Sequence, residues 1–431
     1  MFDPALDLFP LAAAVLAVVT CGLLGNFLLL RRQSLMGDAI SHAVLPGLVI
    51  AFLVTTSRSP LLMFVGASAA GVLTVVLIEL VKKLGRVEPG AAMGVVFSVM
   101  FALGVLLIEM AAARHVDLDA DCVLYGQLET LAWFEAPLTI AGLWSWNTVE
   151  AIPRQVWLLL AVCGMSIVFV AAVFKELRIA AFDPGLASSQ GIPSGVMHYV
   201  LMVFVAAATV ASFEAVGSIL VIAMLIAPAA TARLLTDRLG AQVAVSLAAA
   251  VACAVIGYFG ATAVPAWFEA PSVSAAGSIT VVAGVGVAAA ALLSPSHGLV
   301  FRTWRRRRLA RAAALDDLLT TLMRFGERGQ REVGLDELEA LGLPPTATTI
   351  RRALREGFVD EAGPRLALTE AGRRRAVVVL RNHRLWESYL VEDAGLATDH
   401  VHEPAHRFEH LPIDPPGDAD LDPHGRAIPP V

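Results

Sequence analysis

Nine stretches within the first three hundred residues are apolar on every side, and each has about the length a helix needs to cross a hydrocarbon layer, roughly 20 residues. They fall near residues 8 to 30, 38 to 56, 61 to 81, 91 to 112, 155 to 175, 196 to 213, 216 to 232, 241 to 262 and 273 to 293. Only helices and closed barrels satisfy their own backbone groups in lipid, and segments this long read as helices. The pattern therefore predicts an all-α polytopic membrane domain over residues 1 to 300. The seventh stretch is short and its join to the sixth at Glu214 is tight, which leaves a re-entrant hairpin open there. Residues 113 to 154 are too many for a simple connector. Trp133, Trp144 and Trp146 in that segment suit the aromatic belt of a membrane surface, so it reads as interfacial helices.

Past Arg308 the apolar positions come in shorter periodic runs. Residues 315 to 326, 335 to 341 and 346 to 356 read as three helices, residues 358 to 361 and 365 to 368 as two strands, and a further helix starts at Thr369. Helix, helix, helix, hairpin is the winged-helix order. The chain thus divides into a transmembrane domain (1–300), a basic linker (301–314), a winged-helix-like domain (315–375) and a helical metal-binding and dimerisation region with its C-terminal tail (376–431).

Composition agrees with a membrane half followed by a soluble half: 57% of the 431 residues are hydrophobic and 16% charged. The formal charge of −6 averages two unlike halves and names no partner. Where the basic residues fall says more. Arg31 and Arg32, then Lys82, Lys83 and Arg86, then Lys175 and Arg178, then Arg233 and Arg238, and finally 305 to 308 all lie on one side if nine spans alternate. That places the N-terminus outside and the C-terminus in the cytoplasm of an inner-membrane protein. Acidic Asp3 and Asp7 replace a basic leader, so the first apolar stretch reads as a retained span. Cys21, Cys122, Cys163 and Cys253 stand singly, without zinc-finger or disulfide spacing. No G-x-x-x-x-G-K-[ST] phosphate loop occurs, so ATP hydrolysis by that route would belong to another chain.

Ionisable residues inside spans are costly and mark function. Asp38 and His42 open the second span four residues apart, on one helical face, and offer a carboxylate and an imidazole to a first-row cation. The same pair would serve as a structural hydrogen bond within the bundle. Glu79, Glu109, His198 and Glu214 read as residues at helix ends reaching for the interface.

Three motifs carry a resemblance covering residues 1 to about 300. They are Leu35-Met36-Gly37-Asp38-Ala39-Ile40-Ser41-His42-Ala43-Val44-Leu45-Pro46-Gly47, the run from Phe213-Glu214-Ala215-Val216-Gly217 through Ala227-Pro228 to Arg233, and Val116-Asp117-Leu118-Asp119 with Val123-Leu124-Tyr125-Gly126. In these the chain resembles the zinc/manganese/iron ABC permeases. The resemblance implies a non-catalytic permease, paired with a second permease subunit, fed by an extracytoplasmic metal-binding protein and driven by a cytoplasmic ATP-binding subunit. It also implies that Asp38 and His42 line the metal path, and that Asp183, Pro184, Gly185, Ala187 and Gly191 belong to the segment touching the ATPase. That segment is small-residued and bounded by Pro184 and Pro193, suiting a brief helix in a partner's groove. Asp117, Asp119 and Asp121 would either attract cations at the entrance or form a solvated acidic face.

The tail holds nitrogen and carboxylate donors at helical spacing. His383 and Glu387 are four apart, His402 and His406 are four apart, and His406, Glu409 and His410 share a face. Three such pairs within thirty residues suit a divalent ion with several O/N ligands, and the lack of thiolates argues against structural zinc. Acids about as numerous as arginines in the tail argue against nucleic acid as a partner. Through Leu368-Thr369-Glu370-Ala371-Gly372, the His383 to Glu387 and His402 to His410 stretches, and Pro423-His424-Gly425-Arg426-Ala427-Ile428-Pro429, the tail resembles the iron- and manganese-dependent repressors related to the diphtheria toxin repressor. That resemblance implies one site from His383, Glu387 and His402 and a second from His406, Glu409 and His410, with Asp317 as a further ligand, and a dimerising helical region. His406 stands where those repressors have Cys or Glu, and Pro404 interrupts an expected acid.

These readings join in an ATP-driven importer of a divalent transition metal, Mn2+ or Fe2+ ahead of Zn2+, whose tail binds the same class of ion and senses it. Two alternatives differ in class: a membrane-anchored metal-dependent transcription regulator, and an ion-coupled carrier needing no ATPase.

Overall fold

The computed structural model describes residues 4–55, 59–112, 128, 131, 152–340, 346–410, 413, 415–417 and 419–430. The chain separates into two compact units, Met1–Phe301 and Arg302–Val431. Most of the expected interfacial segment, including Asp117, Asp119, Asp121, Trp133, Trp144 and Trp146, lies outside the described residues.

Among the described residues the elements of the first unit are helices. They are α1 (Pro4–Leu30), α2 (Met36–Thr55), α3 (Pro60–Gly85), α4 (Pro89–Ala112), α5 (Arg154–Ala172), α6 (Phe174–Phe182), α7 (Pro184–Ser189), α8 (Ser194–Val216), α9 (Ser218–Leu235), α10 (Leu239–Ala266) and α11 (Ala275–Leu293). Among the described residues nine helices are long and apolar enough to cross a membrane, and they coincide with the nine apolar stretches. The re-entrant alternative at Glu214 gives way to two separate helices of span length, joined through Gly217 at φ 81° and ψ 165°. Only glycine adopts that backbone cheaply, so the tight join depends on it.

Lipid offers no hydrophobic drive to bring helices together, so close approach through small residues takes its place. A Cβ added to Gly25 would lie 1.9 Å from the Leu225 carbonyl oxygen, and one on Gly47 would lie 2.3 Å from that of Gly66. Backbone therefore meets backbone between α1 and α9 and between α2 and α3. Polar ties lie among these contacts: buried Asn26 donates to the Gly22 carbonyl (2.7 Å) and accepts from buried Gln242 of α10 (3.1 Å). We expect Gly25→Ala to lower the melting temperature of the detergent-solubilised protein, because overpacking of this kind costs about 1–3 kcal/mol or more. Gly94→Ala, where nothing lies within 4 Å of the added atom, serves as the silent control. Equal melting of both variants would disprove the backbone contact.

The second unit follows α12 (Leu299–Glu327) with β1 (Glu332–Gly334), α13 (Leu335–Ala340), α14 (Ala347–Arg355), β2 (Val359–Ala362), β3 (Arg365–Leu368), α15 (Glu370–Glu392) and α16 (His402–Phe408). The helices and the hairpin expected from the sequence are present. Two features differ. The segment expected to be a linker is helical, because its arginines, alanines and leucines are strong helix formers without an interrupting Gly or Pro. A third strand, β1, pairs antiparallel with β3, giving the order β1-β3-β2; three residues are too few to show alternation in sequence. Leu315, Leu319, Leu322, Val333, Val359, Leu366 and Ala376 form the core beneath this sheet. Thr369 caps α15 by accepting from the Gly372 amide (3.1 Å). Arg384 ties the C-terminal strip down by donating to the Ala427 carbonyl (2.5 Å) and to Glu327 (3.1 Å).

Candidate metal centres

In the membrane unit, the first turn of α2 presents Asp38 and the second presents His42, with His42 Nε2 3.5 Å from Asp38 Oδ1. The pair is a local consequence of i,i+4 spacing, and tertiary packing supplies the rest of its surroundings. Phe97 and Phe101 of α4 stand edge-on to the imidazole at centroid distances of 5.3 and 5.9 Å. The Leu225 side chain of α9 abuts Gly37. Both side chains stay partly exposed, at 41% for Asp38 and 26% for His42, so the pair is reachable by an ion.

Glu79 departs from the expected interface-seeking residue. It is buried, 2.7 Å from Lys82 Nζ and 3.5 Å from His198 Nε2. Glu109 and Glu214 are exposed on their helices. The proposed ATPase-contact segment forms α7. Asp183 caps it by accepting from the Leu186 amide (2.9 Å), Pro184 occupies the first turn, Ala187 is buried, and Gly191 turns the chain away at φ 78°. Asp183, Pro184, Gly185 and Gly191 are exposed.

The tail residues gather into two sets. His383, Glu387 and His402 form one, and Asp317, His406, Glu409 and His410 the other; within each, one donor atom per residue lies within 4.8 Å of the rest. Donors on opposite sides of one first-row ion are roughly 4 Å apart, since each bond is about 2.1 Å. The mixed imidazole and carboxylate sets fit such an ion. His383 and Glu387 are one turn apart on α15, with Nε2 2.9 Å from Oε1, and His402 reaches the same Glu387 oxygen from the start of α16. His410 Nε2 lies 3.1 Å from Asp317 Oδ1, which brings α12 into the second set.

Glu409 links the two sets. Its carboxylate is nearly inaccessible, with Oε1 2.7 Å from His406 Nδ1 and Oε2 2.5 Å from His383 Nδ1. The repressor resemblance assigns it to the second set alone. Two more neighbours lie outside that assignment. Asp316 Oδ2 is 4.0 Å from His410 Nδ1 and is held by Arg375 (2.6 Å). The His424 ring stacks on His402 at 4.6 Å. Adjacency to Asp317 is the signal for Asp316, and membership of the terminal motif is the signal for His424. Contacts of this outer kind orient ligand side chains.

Electrostatics follow from the burial. Burial alone would lower the His383 pKa, but Glu387 and Glu409 outweigh it and hold it up at about 9. Burial pushes the Glu387 carboxyl up, yet His383 and His402 bring it below the usual range. His410 is likewise raised: burial lowers it, and Asp317 with Glu409 and Asp316 more than compensate. A metal needs the neutral imidazole, so its binding displaces a proton from His383. We therefore expect metal affinity of the tail to strengthen as pH rises toward about 9, by about tenfold per pH unit for a single displaced proton. Calorimetry in buffers of different ionisation enthalpy measures this release directly; pH-independent binding without proton release would refute it.

Nine apolar helices among the described residues, with an ionisable pair in one of them, and a second unit that concentrates imidazole and carboxylate donors define a polytopic membrane protein with a metal-ligand tail. Comparison with known proteins sharpens that class. The chain belongs to the ABC 3 transport family, whose model matches residues 8–140 and 147–294. Membership makes it the membrane-spanning, non-catalytic permease subunit of an ABC transporter. Residues 369–412 match the iron dependent repressor, metal binding and dimerisation domain. The chain is 42% identical to the manganese transport system membrane protein MntD of Bacillus subtilis, over 68% of this chain and 94% of the relative. It is 38% identical to the zinc transport system membrane protein TroD of Treponema pallidum, over 83% and 95%. Among solved structures, PsaBC from Streptococcus pneumoniae in complex with Fab is 29% identical, with a TM-score of 0.53 over 67% of this chain and 92% of that one.

Proposed function

We propose that the chain is the permease of an ATP-driven importer of manganese, iron or zinc, and that its tail binds the same class of ion and adjusts transport. The Asp38–His42 pair is the observation that carries the transport reading: a carboxylate and an imidazole one turn apart, partly exposed, in a span of an ABC permease. Relatives named for manganese and zinc support the choice of cargo. The N-terminus lies outside and the C-terminus in the cytoplasm, as the positive-inside rule directs. Support comes from the basic ends of the first and third spans and the start of the sixth, which line one cavity as alternation requires. A second permease subunit completes the pathway, an extracytoplasmic metal-binding protein delivers the ion, and an ATP-binding subunit docks on α7.

In the tail, His383, Glu387 and His402 hold one ion and Asp317, His406, Glu409 and His410 the other. The bound ions neutralise the carboxylates and draw α12, α15 and α16 together. Metal biases transport only if it binds one conformation more tightly than the other. The decisive experiment places the chain in liposomes with and without its ATPase and binding protein. Uptake of manganese, iron or zinc needs all components and ATP; uptake by this chain alone would instead establish an ion-coupled carrier.

A membrane-anchored regulator is the second reading. It is favoured by a cleft of about 420 Å3 lined by Arg311 of α12 and by Thr348, Thr349, Arg351, Arg352 and Arg355 of α14, the reading helix of a winged-helix arrangement. Metal-dependent, sequence-specific duplex binding by the full chain would establish it.

A further inference from the structure

The first unit contains a second charged site, whose lining does not include Asp38 or His42. A cavity of about 590 Å3 is lined by the C-terminal ends of α1 and α3, the start of α8 and the turn between α6 and α7. Arg31, Arg32, Lys82 and Lys83 bring four permanent cations to its wall against one carboxylate, Glu79. Glu79 is already engaged by Lys82 at 2.7 Å and by His198 at 3.5 Å. Among the described residues no ion pair joins it to either arginine.

Arg31 is the clearest case of unmet demand. Its Nη1 has only the His198 Nδ1 contact, at 3.4 Å, and its Nε and Nη2 are shielded from solvent without any acceptor. Those two nitrogens form the side-on fork of the guanidinium, which grips two oxygens of one phosphate or carboxylate once the side chain turns that fork into the cavity. Leaving donors of a buried cation unpaired is unfavourable. The backbone commits to the arrangement as well: Arg32 takes the left-handed conformation, φ 57°, while the Gln33 amide closes α1 onto the Leu28 carbonyl (2.9 Å).

The chemistry asked for is an anionic group with two or more oxygens entering at the ends of three spans, where the phosphodiesters of phospholipid headgroups are the abundant source. We infer that this cavity binds the phosphate of an anionic phospholipid headgroup, with Arg31, Arg32 and Lys83 as its donors. Basic pockets between spans on the cytoplasmic side are suited to such headgroups. Pro184 of α7 lines the same cavity, so the bound lipid would brace the segment on which the ATPase docks. The leaflet assigned to this lipid rests on the orientation proposed above; the site itself does not.

The test uses the full chain, equilibrated with equal phosphatidylglycerol and phosphatidylcholine in mild detergent and read by native mass spectrometry. Wild type retains phosphatidylglycerol selectively. Arg31→Gln retains about tenfold less, the expectation for losing one charge-assisted contact. Lys83→Gln, at an exposed position, weakens retention in the same direction without risk to folding. Glu79→Gln, which removes the internal competitor, strengthens it. Equal retention of both lipids, or retention unchanged in Arg31→Gln and Lys83→Gln, overturns the inference. So does an anion-binding cavity that inorganic phosphate fills while wild type shows no lipid preference. Retention in detergent is indifferent to the leaflet of origin, so failure here differs from failure of the orientation, which labelling of Arg86→Cys from either side reports.

Discussion

Alanine at Asp38 or at His42 is expected to reduce metal uptake by about a hundredfold or more while the transporter still assembles and hydrolyses ATP. Each residue would supply one of very few donors to an ion that has shed part of its water in a low-dielectric span, where even an outer-layer change costs 10–100-fold in metal affinity. The pair is 3.5 Å apart and partly exposed, so truncation removes a ligand without emptying a packed core. Asp38→Asn separates charge from shape: the amide keeps an oxygen donor but loses the negative charge, and uptake should fall nearly as far. Uptake by the reconstituted complex at the wild-type rate in both alanine variants would assign the pair to bundle packing.

The second large effect centres on Glu409. Its two oxygens lie 2.7 Å from His406 and 2.5 Å from His383, so one substitution removes a donor from the second set and a support from the first. Calorimetric titration of Glu409→Ala with manganese is expected to show both binding events weakened, each by about tenfold or more. Glu387→Ala should damage mainly the first set, and Asp317→Ala mainly the second. If the tail governs transport, the Glu409 variant also loses the dependence of uptake on internal metal while its maximal uptake persists. A Glu409 variant with one site intact at full affinity would show that the two sets are independent.

Much of this was legible locally. The spans follow from composition over about 20 residues, and the Asp38–His42 and His383–Glu387 pairs follow from spacing along single helices. The grouping of the tail donors came from a family resemblance, because nothing local brings Asp317 to His410 across 93 residues. Glu79 differs from its local expectation for the same kind of reason: a carboxylate near a span end ordinarily reaches for water, and only the approach of His198 from another helix encloses this one. The extra strand β1 is three residues long, shorter than any periodicity that would announce it.

By itself the sequence determined which segments are long and apolar enough to cross a membrane and which donor residues share a helical face, because hydrophobic transfer and helix periodicity act locally along the chain. Tertiary structure alone decided that Glu409 touches both donor sets, that Gly25 meets the Leu225 carbonyl, and that Arg31 stands without a carboxylate partner beside a basic cavity. Those outcomes depend on which faces of distant helices pack together, and that choice is made by contacts summed over the whole bundle.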